Sequence, residues 1–139
     1  MTSEKTKLTI PSIQGYEEVV VETVGIIARL KKVSFEKTNK LKTAVAEACV
    51  NAFEHGNKED ETKNVEVTIS CEKGDLQVCV RDFGEGNPDP NFEMPDLKKQ
   101  IADKELGGWG MYLIHSLVDE VSVENAEGGG TITTMTVHS

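Results

Sequence analysis

The sequence predicts an α+β fold, a two-layer sandwich in which helices lie on one face of a mixed, mostly antiparallel sheet. Apolar residues alternate with polar ones at residues 65–71, 76–80 and 133–137, which is the period of half-buried strands. Between residues 16 and 55 the apolar residues recur at helical spacing instead. The 139 residues suit one domain with a single core, so we expect residues 1–139 to form one unit.

The N-terminal half is predicted to contain one strand and two helices. Leu8 and Ile10 indicate a short strand that ends at Pro11. A first helix, starting between residues 12 and 15, carries apolar residues at helical spacing up to Leu30. Ser34 is suited to cap a second helix, because its hydroxyl can accept from a free backbone amide. The apolar stripe of that helix comprises Leu41, Val45, Ala48 and Ala52.

The C-terminal half is predicted to contain a hairpin, a helix and two more strands. Lys73-Gly74-Asp75 is a turn signal between two alternating runs. Residues 87–106 contain three prolines and are predicted as a long loop, which in a compact domain is usually functional. A helix is expected after residue 107, then a strand at Val121 and Val123, a glycine turn at 128–130 and a final strand at 133–137.

Residues 47–57 carry the polar side chains that are most informative about function. Glu47, Asn51 and His55 are spaced four apart, so they share one helix face beside the apolar stripe. Carboxylate and amide oxygens are ligand types that divalent cations take. A solvated helix rim with a locally paired asparagine explains this helix equally well when it is considered alone.

Two glycine clusters follow, and each has a simple structural explanation as well as a functional one. They are Asp82-Phe83-Gly84-Glu85-Gly86 and Gly107-Gly108-Trp109-Gly110. The first puts an acceptor at a strand end beside flexible backbone, although an ordinary strand exit has the same pattern. The second opens a helix, whose unpaired amides could bind phosphate, although a plain loop-to-helix junction also fits.

In this order and on these elements, the three motifs resemble those of the GHKL ATPase superfamily, which includes gyrase-type ATPases and histidine-kinase catalytic domains. The chain is most similar to the bacterial anti-sigma-factor serine kinases, over nearly its whole length. The resemblance implies the histidine-kinase-like ATPase fold, with ATP and Mg²⁺ as cofactors. It also implies that residues 87–106 form the ATP lid.

The same resemblance implies roles for individual residues. Glu47 would be the catalytic general base, Asn51 would hold the magnesium ion, and Asp82 would bind the adenine amino group. The other residues expected at the nucleotide are His55, Gly56, Gly84, Gly86, Gly107, Gly108, Gly110 and Thr131, with Thr133 as the alternative to Thr131 if the register shifts.

One position departs from the family pattern. Some members of the branch carry an arginine just before the second glycine cluster, where it can reach the terminal phosphate. This chain has Leu106 there, and Lys104 is the nearest cation. Lys104 is therefore the candidate for that contact, and a solvated lysine beside Asp103 and Glu105 is the alternative.

The function that the resemblance implies is a serine/threonine-protein kinase that also acts as an anti-sigma factor. Its substrate would be a small anti-sigma-factor antagonist and its second partner a sigma factor, with homodimer formation left open. Two alternatives remain: a nucleotide-gated binding module that transfers phosphate poorly, and a detached histidine-kinase-like ATPase domain. Asp82-Phe83-Gly84 also imitates a tripeptide of eukaryotic-type kinases, but the chain lacks their other motifs.

Charge and composition exclude several other classes of function. A net charge of −9 disfavours nucleic acid and anionic membranes as direct partners. No apolar run approaches the ~20 residues that span a bilayer. Three cysteines without C-x-x-C spacing favour a reduced, cytoplasmic compartment, and a zinc site is not expected.

Overall fold

Five strands and three helices follow one another in the described part of the chain, residues 4–85 and 108–138 of a computed structural model. In chain order the elements are β1 (Glu4–Pro11), α1 (Glu17–Leu30), α2 (Phe35–Asn51), a π-helical turn (Ala52–Gly56), β2 (Asn64–Glu72), β3 (Asp75–Arg81), α3 (Gly108–Leu117), β4 (Glu120–Asn125) and β5 (Thr131–Val137). This composition confirms the α+β prediction. The predicted lid, residues 87–106, lies outside the described residues.

The strands form one sheet in the order β1-β2-β3-β5-β4. All four described strand pairs are antiparallel, which confirms the mostly antiparallel sheet. The predicted hairpin joins β2 to β3 with Glu72 paired to Asp75. Lys73 and Gly74 form its turn with φ of 54° and 86°, the left-handed backbone that a two-residue hairpin turn requires.

The core lies between one face of the sheet and the helices. Val78 in the central strand is flanked by Ile69 on β2 and Met135 on β5, and all three side chains are buried. Leu41 on α2 and Ile114 on α3 are fully buried in the same cluster. Helix α2 contacts both α1 and α3 and packs on β3 and β5, so it is the central helix of the layer.

The ends of α2 determine where the site residues lie. At its N-terminus Ser34 is the cap, and its Oγ accepts from the backbone N of Lys37 at 3.2 Å, as the sequence predicted. At its C-terminus the α-helix stops at Asn51 and continues as the π-helical turn. Such turns widen the helix and change the phase of the following side chains, and they are frequent at functional sites.

Helix α1 begins slightly later than the sequence predicted. Gly15 has φ of 107°, and its backbone N donates to the Glu17 carboxylate at 2.6 Å. The left-handed residue separates the preceding loop from the helix, so the helical backbone starts at Glu17 rather than between residues 12 and 15. Among the helices in the described ranges, none is long and apolar enough to cross a membrane.

Candidate active site

Asp82 follows the last residue of β3 and is only 7% exposed. Its Oδ1 accepts from the backbone N of Gly84 at 3.0 Å and from the backbone N of Thr131 at 3.2 Å. Burial raises the pKa of the carboxyl group, and these two backbone donors oppose the rise. Oδ2 receives no hydrogen bond from the described residues. One oxygen is thus satisfied by the protein, and the other can accept from a ligand amine.

Gly56 and Gly84 are required by the close approach of two backbone segments at Asp82. A Cβ on Gly56 would lie 2.3 Å from Oδ2 of Asp82. A Cβ on Gly84 would lie 1.8 Å from the carbonyl oxygen of Gly56. The end of the π-helical turn and the first glycine cluster therefore touch through main-chain atoms, a contact that only glycine at both positions permits.

Thr131 is held directly beside Asp82. The backbone N of Asp82 donates to the carbonyl oxygen of Thr131 at 3.0 Å, and the reverse bond reaches the Asp82 side chain. The preceding Gly130 has φ of 90°, and a Cβ there would lie 2.0 Å from the Asp82 carbonyl oxygen. Thr133, the alternative named from the sequence, pairs with Val80 two residues farther along the strand.

Asn57 joins three segments around Asp82, and the sequence analysis missed it. Its side chain is buried, and Nδ2 donates to Oγ of Ser12 at 2.8 Å and to the carbonyl oxygen of Asn64 at 3.1 Å. Its Oδ1 accepts from the backbone N of Phe83 at 2.8 Å. The side chain thereby fixes the residue that follows Asp82. Only its place directly after the His-Gly pair could have suggested this role.

Arg81 is a second residue that sequence reasoning missed. Its Nη2 donates to the carbonyl oxygens of Glu127 at 3.0 Å and Gly129 at 3.4 Å. The guanidinium also lies 4.6 Å from the centre of the Phe83 ring, within range of a cation–π contact. Arg81 therefore stabilises the glycine turn that delivers Thr131.

A second group of polar side chains lies where α3 meets α2. Glu47 and Asn51, both half-buried, face Gly110 in the first turn of α3. A Cβ on Gly110 would lie 2.7 Å from Oε2 of Glu47 and 3.0 and 3.2 Å from Nδ2 and Oδ1 of Asn51. The N-terminus of α3, whose first backbone amides have no partner within the helix, is thus seated against a carboxylate and an amide.

This donor set fits both cofactors that the resemblance implies. Magnesium is commonly held by one or two protein oxygens together with phosphate oxygens and water, and Oδ1 of Asn51 can supply one of these ligands. Helix N-termini bind phosphate through backbone N–H groups, and α3 offers such a terminus at Gly108 and Gly110. Asp82 offers the acceptor that an exocyclic amine requires.

The described part of the structure brings none of the remaining predicted residues into contact with the candidate site. His55 lies in the π-helical turn and is exposed, and its Nε2 is 3.9 Å from the carboxylate of Glu54. No described contact joins His55 to Glu47, Asn51 or Asp82. Gly86, Lys104 and Gly107 lie outside the described residues, so their roles stay predictions.

Comparison with known sequences finds the same kind of domain over most of the chain. Residues 14–137 match the family described as the histidine kinase-like ATPase domain. The serine-protein kinase RsbW of Bacillus subtilis (strain 168) is 30% identical over 127 residues, covering 88% of this chain and 79% of that protein. The serine-protein kinase RsbW of Bacillus licheniformis is 31% identical over 127 residues, covering 85% and 76%.

Solved structures agree on the fold. The RsbU and RsbW domains of a Mycobacterium tuberculosis protein superpose with a TM-score of 0.69 at 18% identity, covering 97% of this chain. This chain spans only 32% of that larger chain. The SiaB–SiaC complex from Pseudomonas aeruginosa gives a TM-score of 0.70 at 13% identity, covering 95% of this chain and 88% of the other.

Proposed function

Since this chain belongs to the family of histidine kinase-like ATPase domains, we propose that it is an ATP- and magnesium-dependent serine/threonine-protein kinase. Its relatives named serine-protein kinase RsbW support a protein hydroxyl as phosphate acceptor. The observation that carries the proposal is the contact of Gly110 with both Glu47 and Asn51. It brings a carboxylate, a side-chain amide and a helix N-terminus together, which supports the roles of base, metal ligand and phosphate-binding site that we propose for them.

In this proposal Glu47 is the general base. Its carboxylate accepts the proton of a seryl or threonyl hydroxyl of the protein substrate as that oxygen attacks the γ-phosphorus of ATP. The new oxygen–phosphorus bond forms while the bond from the γ-phosphorus to the β-γ bridging oxygen breaks, and ADP leaves. Backbone amides at Gly108 and Gly110 donate to phosphate oxygens as their charge shifts. A magnesium ion on Asn51 would neutralise part of that phosphate charge.

The other end of the nucleotide is assigned to Asp82. Its Oδ2 accepts from the adenine amino group, while Oδ1 stays bonded to the backbone of Gly84 and Thr131. Gly56 leaves room for the carboxylate, and the backbone of Thr131 lies beside it. The π-helical turn, Ala52–Gly56, directly follows Asn51, so it connects the phosphate end to the adenine end.

The protein partners of this chain are part of the proposal, which rests on the similarity to the same relatives. The substrate would be a small anti-sigma-factor antagonist, and the second partner a sigma factor that the protein sequesters. To alternate between these two partners, the protein needs a nucleotide state in which the complex with one partner is favoured over the complex with the other. We place the protein in the cytoplasm, supported by three described cysteines that carry free thiols.

The experiment is phosphate transfer from labelled ATP to candidate antagonists in the presence of magnesium. Glu47→Gln keeps the shape but cannot accept a proton, so we expect transfer to fall ~10²–10⁴-fold while ATP affinity stays within a few-fold. Asn51→Ala should instead weaken ATP binding only when magnesium is present, as titration calorimetry with and without the metal would show. Glu36→Gln, the same change at the other end of α2, is the matched control.

Each outcome decides between functions. Wild-type transfer rates in Glu47→Gln would remove the base assignment. ATP binding by the wild-type protein without transfer to any antagonist would favour the nucleotide-gated binding module. Transfer to a histidine-containing acceptor instead of a serine would favour the detached histidine-kinase-like ATPase domain.

A further inference from the structure

Three hydrogen bonds in series connect the loop before α1 to the residue that follows Asp82. The backbone N of Phe83 donates to Oδ1 of Asn57 at 2.8 Å, and Nδ2 of Asn57 donates to Oγ of Ser12 at 2.8 Å. The hydroxyl of Ser12 donates in turn to the carbonyl oxygen of Lys63 at 2.7 Å. We call these three bonds the Ser12–Asn57 link. Ser12 is 4% exposed and Asn57 is 2% exposed, so solvent has little access to either side chain.

The direction of each bond in the Ser12–Asn57 link is fixed by its partners. The backbone N of Phe83 can only donate, so the side-chain atom of Asn57 that faces it is the oxygen. The amide nitrogen of Asn57 therefore donates both to Ser12 and to the carbonyl oxygen of Asn64, the latter at 3.1 Å. Since Oγ of Ser12 accepts this bond, its own proton goes to the Lys63 carbonyl oxygen. The link thus needs an amide at position 57 and a hydroxyl at position 12.

One end of the link lies on the turn that holds the Asp82 carboxylate. Oδ1 of Asp82 accepts from the backbone N of Gly84, two residues on, which forms an Asx turn with Phe83 at its centre. Asn57 binds the backbone amide of that central residue. Gly56, the neighbour of Asn57, lies against Gly84 through main-chain atoms. The turn is therefore held by backbone contact on one side and by the Asn57 side chain on the other, so the direction of the carboxylate depends on Asn57.

The other end of the link holds a loop that has few packing neighbours. Ser12 directly follows β1, and Ile13, the next residue, is 37% exposed. Ser12, Ile13 and Gln14 line a cavity of about 200 Å³ together with Phe53 and other residues. A loop beside open space makes few buried apolar contacts, and such segments open easily. The hydrogen bonds of Ser12 therefore have a large share in fixing this loop.

We propose that Ser12 and Asn57 are positioning residues for adenine binding and that they couple the loop before α1 to occupancy of the nucleotide site. Without the link, the nucleotide-free protein samples other orientations of the Asp82 carboxylate, and binding must restrict them. Coupling of this kind is reciprocal, so a bound nucleotide stabilises the loop as much as an ordered loop strengthens nucleotide binding. The inference rests on the proposed assignment of Asp82 to the adenine amino group.

The first test is Ser12→Ala, which breaks the link at a residue that has no described contact with Asp82. Affinity for ATP should fall roughly three- to tenfold in titration calorimetry, the effect of one net hydrogen bond. Affinity for ADP should fall by the same factor, because the link ends at the adenine side. In phosphate transfer the KM for ATP should rise, while kcat at saturating ATP stays within about twofold of the wild type.

Two further serine variants are the controls. Ser12→Thr keeps the hydroxyl, and the cavity beside position 12 leaves space for the extra methyl group, so this variant should bind ATP like the wild type. Ser34→Ala removes another serine hydroxyl, the one that caps α2 at the end opposite Asn51. It should lower the melting temperature without changing nucleotide affinity.

Asn57→Ala tests whether the two residues act as one unit. It should weaken ATP binding more than Ser12→Ala does, because it also releases the backbone N of Phe83. Adding Ser12→Ala to Asn57→Ala should cause no further loss of affinity, since the link is already broken. Thermal unfolding shows whether Asn57→Ala is folded. If it is not, the comparison of Ser12→Ala with Ser12→Thr decides alone.

Hydrogen exchange measures the coupling from the loop. In the wild type, saturating ADP should slow the exchange of backbone amides in residues 12–16. In Ser12→Ala, also saturated with ADP, this slowing should be lost. The β2–β3 turn at Lys73 and Gly74 lies at the other end of β3 from Asp82 and should not respond to ADP in either protein.

Several results would overturn the inference. Equal ATP affinity in the wild type and a folded Ser12→Ala variant would do so, as would a loss of affinity for ATP but not for ADP. If Ser34→Ala weakens ATP binding as much as Ser12→Ala, the effect is a general loss of stability and the positioning role is wrong. Slowing of exchange that persists in Ser12→Ala would reject the coupling.

The same measurements separate this inference from the proposed function. A wild-type protein that binds neither ATP nor ADP would overturn the kinase proposal and the inference that rests on it. Nucleotide binding by the wild type that is unaffected by Ser12→Ala would reject only the Ser12–Asn57 link and would leave the kinase proposal standing.

Discussion

Replacing Asp82 with asparagine should move nucleotide affinity and the stability of the nucleotide-free protein in opposite directions. The asparagine Oδ1 can still accept from the backbone N of Gly84 and Thr131, so the local structure should persist. At the position of Oδ2 the variant carries an amide that donates rather than accepts. A hydrogen bond to a charged group contributes ~1.5–3 kcal/mol, so we expect ATP affinity to fall roughly ten- to hundredfold.

The stability change has the other sign because the carboxylate is buried. Burial raises the pKa of Asp82 in the folded protein above its ordinary value. An acid with a raised folded pKa contributes stability at low pH, and that contribution is lost as the pH rises through the folded value. At pH 7 the wild type therefore holds a disfavoured charge that Asp82→Asn removes. The nucleotide-free variant should have the higher melting temperature, and the difference should shrink as the solution is acidified.

Titration calorimetry with ATP and thermal unfolding without nucleotide measure the two effects. Asp60→Asn is the matched control, because hydrogen bonds from Thr62 lower the pKa of this exposed carboxyl. It should leave ATP affinity unchanged and should not raise the melting temperature. Unchanged ATP affinity in a folded Asp82→Asn variant would refute the adenine assignment. A lower melting temperature would refute the reasoning from burial.

Three further predictions concern the glycine contacts and the Asp82 carboxyl group. Gly84→Ala places a methyl group against the Gly56 backbone, which cannot move aside, so it should destabilise the protein by about 1–3 kcal/mol in denaturant unfolding and abolish ATP binding. In Gly110→Ala the added methyl group meets only the ends of the Glu47 and Asn51 side chains, which can move aside. Phosphate transfer should therefore fall with little change in stability. Equal losses of stability in the two glycine variants would contradict this reasoning. Wild-type ATP affinity should also decrease on acidification, beginning above the pH at which an ordinary aspartate titrates, and Asp82→Asn should lack that decrease in calorimetry at stepped pH.

The elements of the fold could be predicted from the sequence because their signals are local. The β2–β3 hairpin depends on alternation and on Lys73-Gly74, all within a short stretch of chain. The strand order is different, because β5 lies between β3 and β4. That order is decided by pairing between residues such as Val78 and Met135, which are distant in the sequence. No local pattern carries this information.

In the candidate site, too, local features could be predicted from the sequence, and contacts between distant segments could not. Glu47 and Asn51 could be predicted as neighbours because helical spacing puts them on one face. The contact of Gly110 with both of them could not, because it depends on how α3 packs on α2. The sequence analysis missed the role of Asn57 for a related reason. Its three hydrogen bonds reach Ser12, Asn64 and Phe83, which no sequence window brings together.

The glycines at the Asp82 end have a meaning that their sequence pattern does not disclose. The sequence analysis expected Gly56 and Gly84 to lie at the nucleotide, yet the protein itself fills the Cβ position of both. They allow the π-helical turn to press against the loop after β3, which fixes the carboxylate before any ligand arrives. A pre-arranged acceptor loses little freedom on binding. In the proposed kinase, the adenine end would then contribute equally to ATP and ADP, and discrimination between them would fall to α3.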